Sequence, residues 1–118
     1  MSERKSFVVT GGTRGIGKGL VAELLKRGVD VTLSGRSQAA VDAVVAELRA
    51  CATQGATVTG AACDVTRPAA LQHLWDTAVA AFGRVDAWVN NAGISHPRQR
   101  GGEMRAADVS AVQETNLL

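Results

Sequence analysis

Residues 8–17 read VVTGGTRGIG. A β-branched apolar run passes straight into a loop with four glycines in seven residues, at 11–17, and helix-forming sequence follows at once. Glycine permits positive φ and lets backbone approach a partner closely. A helix that starts directly after such a loop exposes unpaired N–H groups and the positive end of its dipole, which suits a phosphate. The stretch therefore reads as a strand–turn–helix junction built around an anionic ligand. A tight turn without a ligand is the alternative. A P-loop does not fit, because GGTRGIGKG lacks Gly-Lys-Ser/Thr at the required spacing.

Working outward, strands and helices alternate. Residues 6–10 form a continuous apolar run, as expected of a strand buried on both faces. Ile16, Leu20, Leu24 and Leu25 fall on one helical face, and Gly28 ends that helix after Lys26 and Arg27. A second strand spans 29–34, and Val41, Val44, Val45 and Leu48 mark a second helix. A third strand spans 56–65; Thr66 and Pro68 start a third helix, with Leu71, Leu74, Trp75, Ala78 and Phe82 as its apolar stripe and Gly83 as its stop. A fourth strand spans 85–91, with Trp88 buried in it. A loop follows, then a last helix from near Arg105 with Val109 and Val112 on its apolar face. The order is β-α-β-α-β-α-β-α, which implies a parallel sheet with right-handed crossovers and helices on both faces. The expectation is one α/β domain over 1–118: a doubly wound, Rossmann-type sheet with strands in the order 3-2-1-4. Ligands of such sheets bind beyond the carboxyl ends of the strands, where the first turn lies.

Bulk composition narrows the function classes. Thirteen basic and eleven acidic residues are scattered along the 118-residue chain, with no basic tail to suggest a nucleic-acid partner. No apolar run approaches the length of a membrane span, and MSERK leads directly into a strand, so a cytoplasmic protein is expected. Cys51 and Cys63 lack metal-ligand spacing and read as reduced structural thiols; no metal is expected. There is no tyrosine.

At this point the sequence resembles a family. TGGTRGIG (10–17) is similar to the Thr-Gly-x-x-x-Gly-x-Gly motif of the short-chain dehydrogenases/reductases, in their single-domain branch. CDV (63–65) looks like the family's adenine-side motif, with Asp64 and Val65 at the matching positions; NNAG (90–93) is its next hallmark. The resemblance implies cofactor contacts from Gly11, Thr13, Arg14, Gly15, Ile16, Gly17, Asp64, Val65, Asn91, Ala92 and Gly93. It also puts Asn116 where the family carries its catalytic asparagine, which holds a water in a proton relay; read from spacing alone, Asn116 takes the next core position after Val109 and Val112 and is a structural amide, buried and satisfied, or exposed if the helix drifts.

The end of the second strand, LSGRS, carries no acid to bind the ribose hydroxyls of NAD; Asp30 is at the strand's other end. Arg36, beside Ser37, can pair with a 2′-phosphate, and Arg14 can flank the same group. The family reads this pairing as preference for NADP(H) over NAD(H). Two solvated arginines are the alternative. His73 reads as a surface residue, and the loop HPRQRGG (96–102) as solvated.

The family's tyrosine, lysine and serine come from a fifth strand and the helix after it, which this sequence does not contain. The chain is thus expected to be the C-terminally truncated, cofactor-binding half of an NADP(H)-dependent oxidoreductase: a fragment, inactive by itself, whose full-length form acts on a small-molecule carbonyl or alcohol, engages neither nucleic acid nor membrane, and forms a homo-oligomer. A non-catalytic dinucleotide-binding or regulatory module is the competing reading. VDAVVAEL, ACDVTRP and TNLL resemble the chlorophyll b reductase branch of the family.

Overall fold

The computed structural model describes residues 4–91 and the backbone of 114–115. Strand β1 (Ser6–Val9) leads through the glycine loop into helix α1 (Gly15–Lys26). Strand β2 (Asp30–Gly35), helix α2 (Gln38–Leu48) and a short 3-10 turn (Arg49–Cys51) follow. Strand β3 (Val58–Ala62), helix α3 (Pro68–Phe82), strand β4 (Ala87–Val89) and a two-residue strand β5 (Glu114–Thr115) complete the described elements. The sheet order is β3-β2-β1-β4-β5. The first four strands are parallel, with Phe7 opposite Val31 and Ala87, and Leu33 opposite Gly60. The expected order 3-2-1-4 is the one found.

Alternation along β1 builds two cores. Val9 faces α1 and α2, in a cluster with Val21, Leu25, Leu33, Val41 and Val44. Val8 faces α3, with Ala61, Cys63, Leu74, Ala78 and Val85. Removing two apolar faces of one sheet from water is the main favourable term, at about 1.5–3 kcal/mol per fully buried large side chain. The helix ends follow their local chemistry. Pro68 occupies the first turn of α3, and Gly83 closes that helix in the left-handed region at φ 80°. Beneath the sheet, Arg84 pairs with Asp86, whose carboxylate also accepts the Ser6 N–H at 2.8 Å.

Three expectations need correction. The buried track of α1 is Gly17, Val21 and Leu25, while Ile16 is 48% exposed and Leu20 and Leu24 are half-buried. The helix is turned by the close approach that Gly17 alone permits, as described below. Trp88 is half-buried rather than buried, since α3 is the described helix covering that face; the indole stacks on Trp75 at 6.4 Å between ring centres. The last helix does not run through 114–115: these residues pair antiparallel with β4, Glu114 opposite Val89 and Thr115 opposite Trp88. An apolar strand edge offers unpaired N–H and C=O groups, and here the chain itself supplies partners for them.

Candidate functional site

The site forms where β1, β2 and β3 end. The loop after β1 continues the sheet's hydrogen bonding for two residues, with the Thr10 N–H donated to Val89 O (3.0 Å) and the Gly12 N–H to Ser34 O (2.8 Å). Its glycines do different work. Gly11 turns the chain at φ 67°. A Cβ on Gly12 would stand 2.9 Å from that of Leu33. A Cβ on Gly17 would fall onto Gly11 O and Asn91 Nδ2, so this glycine seats the start of α1 against the end of β4. Gly15 is the reverse case: its φ is +63°, yet an added Cβ meets nothing within 4 Å. It opens the cradle instead of packing it.

Asn91 locks this arrangement. Its N–H is donated to Thr10 Oγ1 (2.9 Å) and its Nδ2 to Gly11 O (3.1 Å), while the buried Oδ1 has no partner among the described residues. Thr10 was not singled out in the sequence, although its hydroxyl also lies 3.2 Å from Asn90 Oδ1. A threonine at the last position of an apolar strand, facing a pair of asparagines in a parallel neighbour, is the signal that would have found it.

The N-cap residue of α1, Arg14, makes no capping bond with its side chain, and the first turn carries no acid. Arg14, Gly15 and Ile16 are exposed there. Thr13 packs against the end of β2, where a Cβ on Gly35 would stand 2.5 Å from Thr13 Cγ2. Arg36 follows, exposed. The side chains of Arg14 and Arg36 make no hydrogen bond or ion pair with a described residue. Ser37 caps α2, accepting the Ala40 N–H at 3.2 Å, which leaves its hydroxyl proton free to donate. Asp30 is spent at the far end of β2, accepting the Thr57 N–H at 2.9 Å and pairing with Arg4 at 3.5 Å.

The third turn carries Asp64 and Val65. Cys63 donates its N–H to Gly35 O (2.8 Å), which brings this turn beside Arg36. Asp64 Oδ1 accepts from Thr66 twice, from the hydroxyl at 2.6 Å and from the N–H at 3.0 Å. Those bonds, with smaller help from Arg67 and Arg36, hold the exposed carboxyl below the usual carboxylate range. Burial pushes the Cys63 thiol up and leaves it an inert core group. His73 is exposed on α3, away from these turns. No metal-ligating cluster is present among the described residues. Ala92, Gly93, Asn116, and the loop at 96–102 lie outside the described residues.

A helix N-terminus without a side-chain cap among the described residues, an open cradle at Gly15, two exposed arginines and a fixed carboxylate fit a dinucleotide laid across three strand ends. Residues 5–118 match the family described as short chain dehydrogenase. Among curated proteins, the chain is 33% identical over 128 residues to one from Arabidopsis thaliana named "Probable chlorophyll(ide) b reductase, chloroplastic", covering 97% of this chain and 26% of that protein. It is 36% identical over 114 residues to L-fucose dehydrogenase of Bos taurus, covering 97% of this chain and 40% of that protein. The chain therefore spans well under half the length of these curated relatives. Among solved structures, actinorhodin polyketide ketoreductase with NADPH superposes with a TM-score of 0.68 at 32% identity, over 75% of this chain and 33% of that one. A Burkholderia phymatum short chain dehydrogenase/reductase in complex with NAD superposes with a TM-score of 0.65 at 33% identity, over 75% of this chain and 31% of that one. The fold, the order of the motifs and these matches agree: the chain belongs to the short-chain dehydrogenase family.

Proposed function

We propose that this chain forms the cofactor-binding part of an NADP(H)-dependent oxidoreductase that acts on a small carbonyl or alcohol. The observation that carries this reading is the pair of exposed arginines, Arg14 and Arg36, at neighbouring strand ends, without a side-chain hydrogen bond or ion pair among the described residues, and with no acid at the end of β2. The pyrophosphate would meet the first-turn N–H groups of α1 across Gly15. Arg36 and Arg14 would take the 2′-phosphate, with the Ser37 hydroxyl proton beside them, and Asp64 and Val65 would line the adenine side. Asn91 keeps the loop in register with β4. When bound, the nicotinamide supplies or accepts the hydride. Relatives carrying NADPH and NAD support a nicotinamide cofactor, and the choice between them rests on this chain's own arginines. The sequence holds no tyrosine to give or take the proton, so the 118-residue chain should bind cofactor without turning over.

Calorimetry on the purified chain tests the reading. NADPH should bind at least tenfold more tightly than NADH, about 1.4 kcal/mol. Arg36→Gln should remove most of that difference and leave NADH affinity unchanged. Equal affinity of the unaltered chain for the two cofactors would overturn the preference.

A further inference from the structure

We propose that Gln38, a residue without an expected ligand contact, is the positioning residue for recognition of the cofactor's 2′-phosphate. The inference rests on the NADP(H) reading above and assigns a residue that reading leaves out. Gln38 opens α2, two residues beyond Arg36. Its side chain is spent at both ends. The amide oxygen accepts the Ala62 N–H at 3.0 Å, and Nε2 donates to Asp42 Oδ1 at 2.8 Å. Ala62 ends β3, the outermost strand of the sheet. Its neighbour Cys63 directs its N–H inward, to Gly35 O of β2. In a parallel ladder successive N–H groups point to opposite sides, so the Ala62 N–H points to the free edge. Gln38 thus reaches from the turn after β2 to the outer edge of β3.

That bond ties together two turns that would hold opposite ends of the same nucleoside. One carries Arg36 and Ser37; the other, two residues past Ala62, carries Asp64 and Val65. Asp42 fixes which way the Gln38 amide faces, because its carboxylate accepts only from Nε2 and leaves the oxygen toward Ala62. The second turn is separately stiffened by the two Thr66 bonds to Asp64. With both turns fixed, the backbone from which Arg36 projects is held at one distance from the adenine wall, so its guanidinium reaches the 2′-position without a shift of either turn. A 2′-phosphate requires that distance, and a ribose bearing only hydroxyls does not.

The test uses two nucleotides that differ in this group, adenosine 2′,5′-bisphosphate and 5′-AMP, titrated calorimetrically into the 118-residue chain. The unaltered chain should prefer the bisphosphate at least tenfold. Gln38→Met keeps the length of the side chain and loses the amide; the preference should fall about fivefold, the scale of one hydrogen bond, through weaker bisphosphate binding with 5′-AMP affinity held. Asp42→Ala frees the amide to rotate without touching the β3 edge, and should lower the preference in the same direction. This second variant keeps the test decisive if Gln38→Met does not fold. An undiminished preference in folded Gln38→Met, or in Asp42→Ala where only that variant folds, overturns the role of Gln38 and leaves the NADP(H) reading standing. No preference in the unaltered chain overturns that reading and this inference with it.

Discussion

Gly15 and Gly17 are two residues apart and carry opposite burdens. At Gly15 the constraint is conformational, since φ is +63° and the space beyond is open. At Gly17 it is steric, since Gly11 O and Asn91 Nδ2 occupy the place of a Cβ. Gly15→Ala should therefore cost about 1–2 kcal/mol of stability and reduce NADPH affinity more than tenfold, because the methyl enters the cradle. Gly17→Ala should cost about 1–3 kcal/mol by overpacking and loosen the Asn91 contact as well. Urea melts and calorimetry on the two variants separate these effects. Thr32 offers a contrasting site: its buried hydroxyl, on the α3-facing side of β2, has no partner among the described residues. Thr32→Val should stabilise the fold by about 1 kcal/mol, by removing an unsatisfied group from the core, and should leave cofactor binding unchanged. The residue types at the site were legible in the sequence because glycine, arginine and asparagine are conspicuous at strand ends. Their division of labour was not, because it depends on what each Cβ would meet across the sheet.

At the scale of elements, the periodicity of α2 was read correctly: Val41, Val44, Val45 and Leu48 are all buried. That of α1 was displaced by one residue. A glycine scores as neutral in an apolar pattern, yet Gly17 is buried so closely against Gly11 O and Asn91 Nδ2 that no Cβ would fit, and the buried track runs through it. The pairing of 114–115 with β4 was invisible for a related reason, since strand pairing depends on a partner distant in sequence. The same holds for the fastening between Ser6, at the start of β1, and Asp86, ahead of β4. Arg84 hydrogen bonds hold the Asp86 carboxyl below the ordinary carboxylate range, against a partial desolvation that opposes them. The unfolded chain therefore binds this proton more readily than the folded one. The resulting stabilisation is complete above the unfolded pKa, about 4, and is lost as pH falls through the lower, folded value. Asp86→Asn should destabilise the protein by about 1–3 kcal/mol at pH 7, and the gap to the unaltered chain should narrow below about pH 4. Urea melts at pH 7 and pH 3 would measure it.

Across the whole molecule, alternation along the strands sends Val8 and Val9 into separate cores on the two faces of the sheet. Three consecutive turns then open on the same edge of the sheet and present, in order, a helix start with Arg14 exposed at it, Arg36 exposed at the end of β2, and a carboxylate fixed by Thr66. The alternation of strands and helices sufficed to foresee this, because a parallel sheet with right-handed crossovers fixes which turns share an edge. What alternation could not supply is the cross-bracing by Gln38 and Thr10, each a polar side chain whose distant partner is set by the folded register; the Thr66 bonds to Asp64 are local to one turn. The central claim is that these three turns together hold a 2′-phosphorylated nicotinamide dinucleotide. Titration of the 15N-labelled chain with NADPH, followed through its backbone amide resonances, tests it directly. The account predicts saturable shifts concentrated at residues 14–17, 36–38 and 64–66, with NADH producing weaker saturation at the first and third turns. Shifts absent from these turns, or clustered at the opposite ends of the strands, would contradict it.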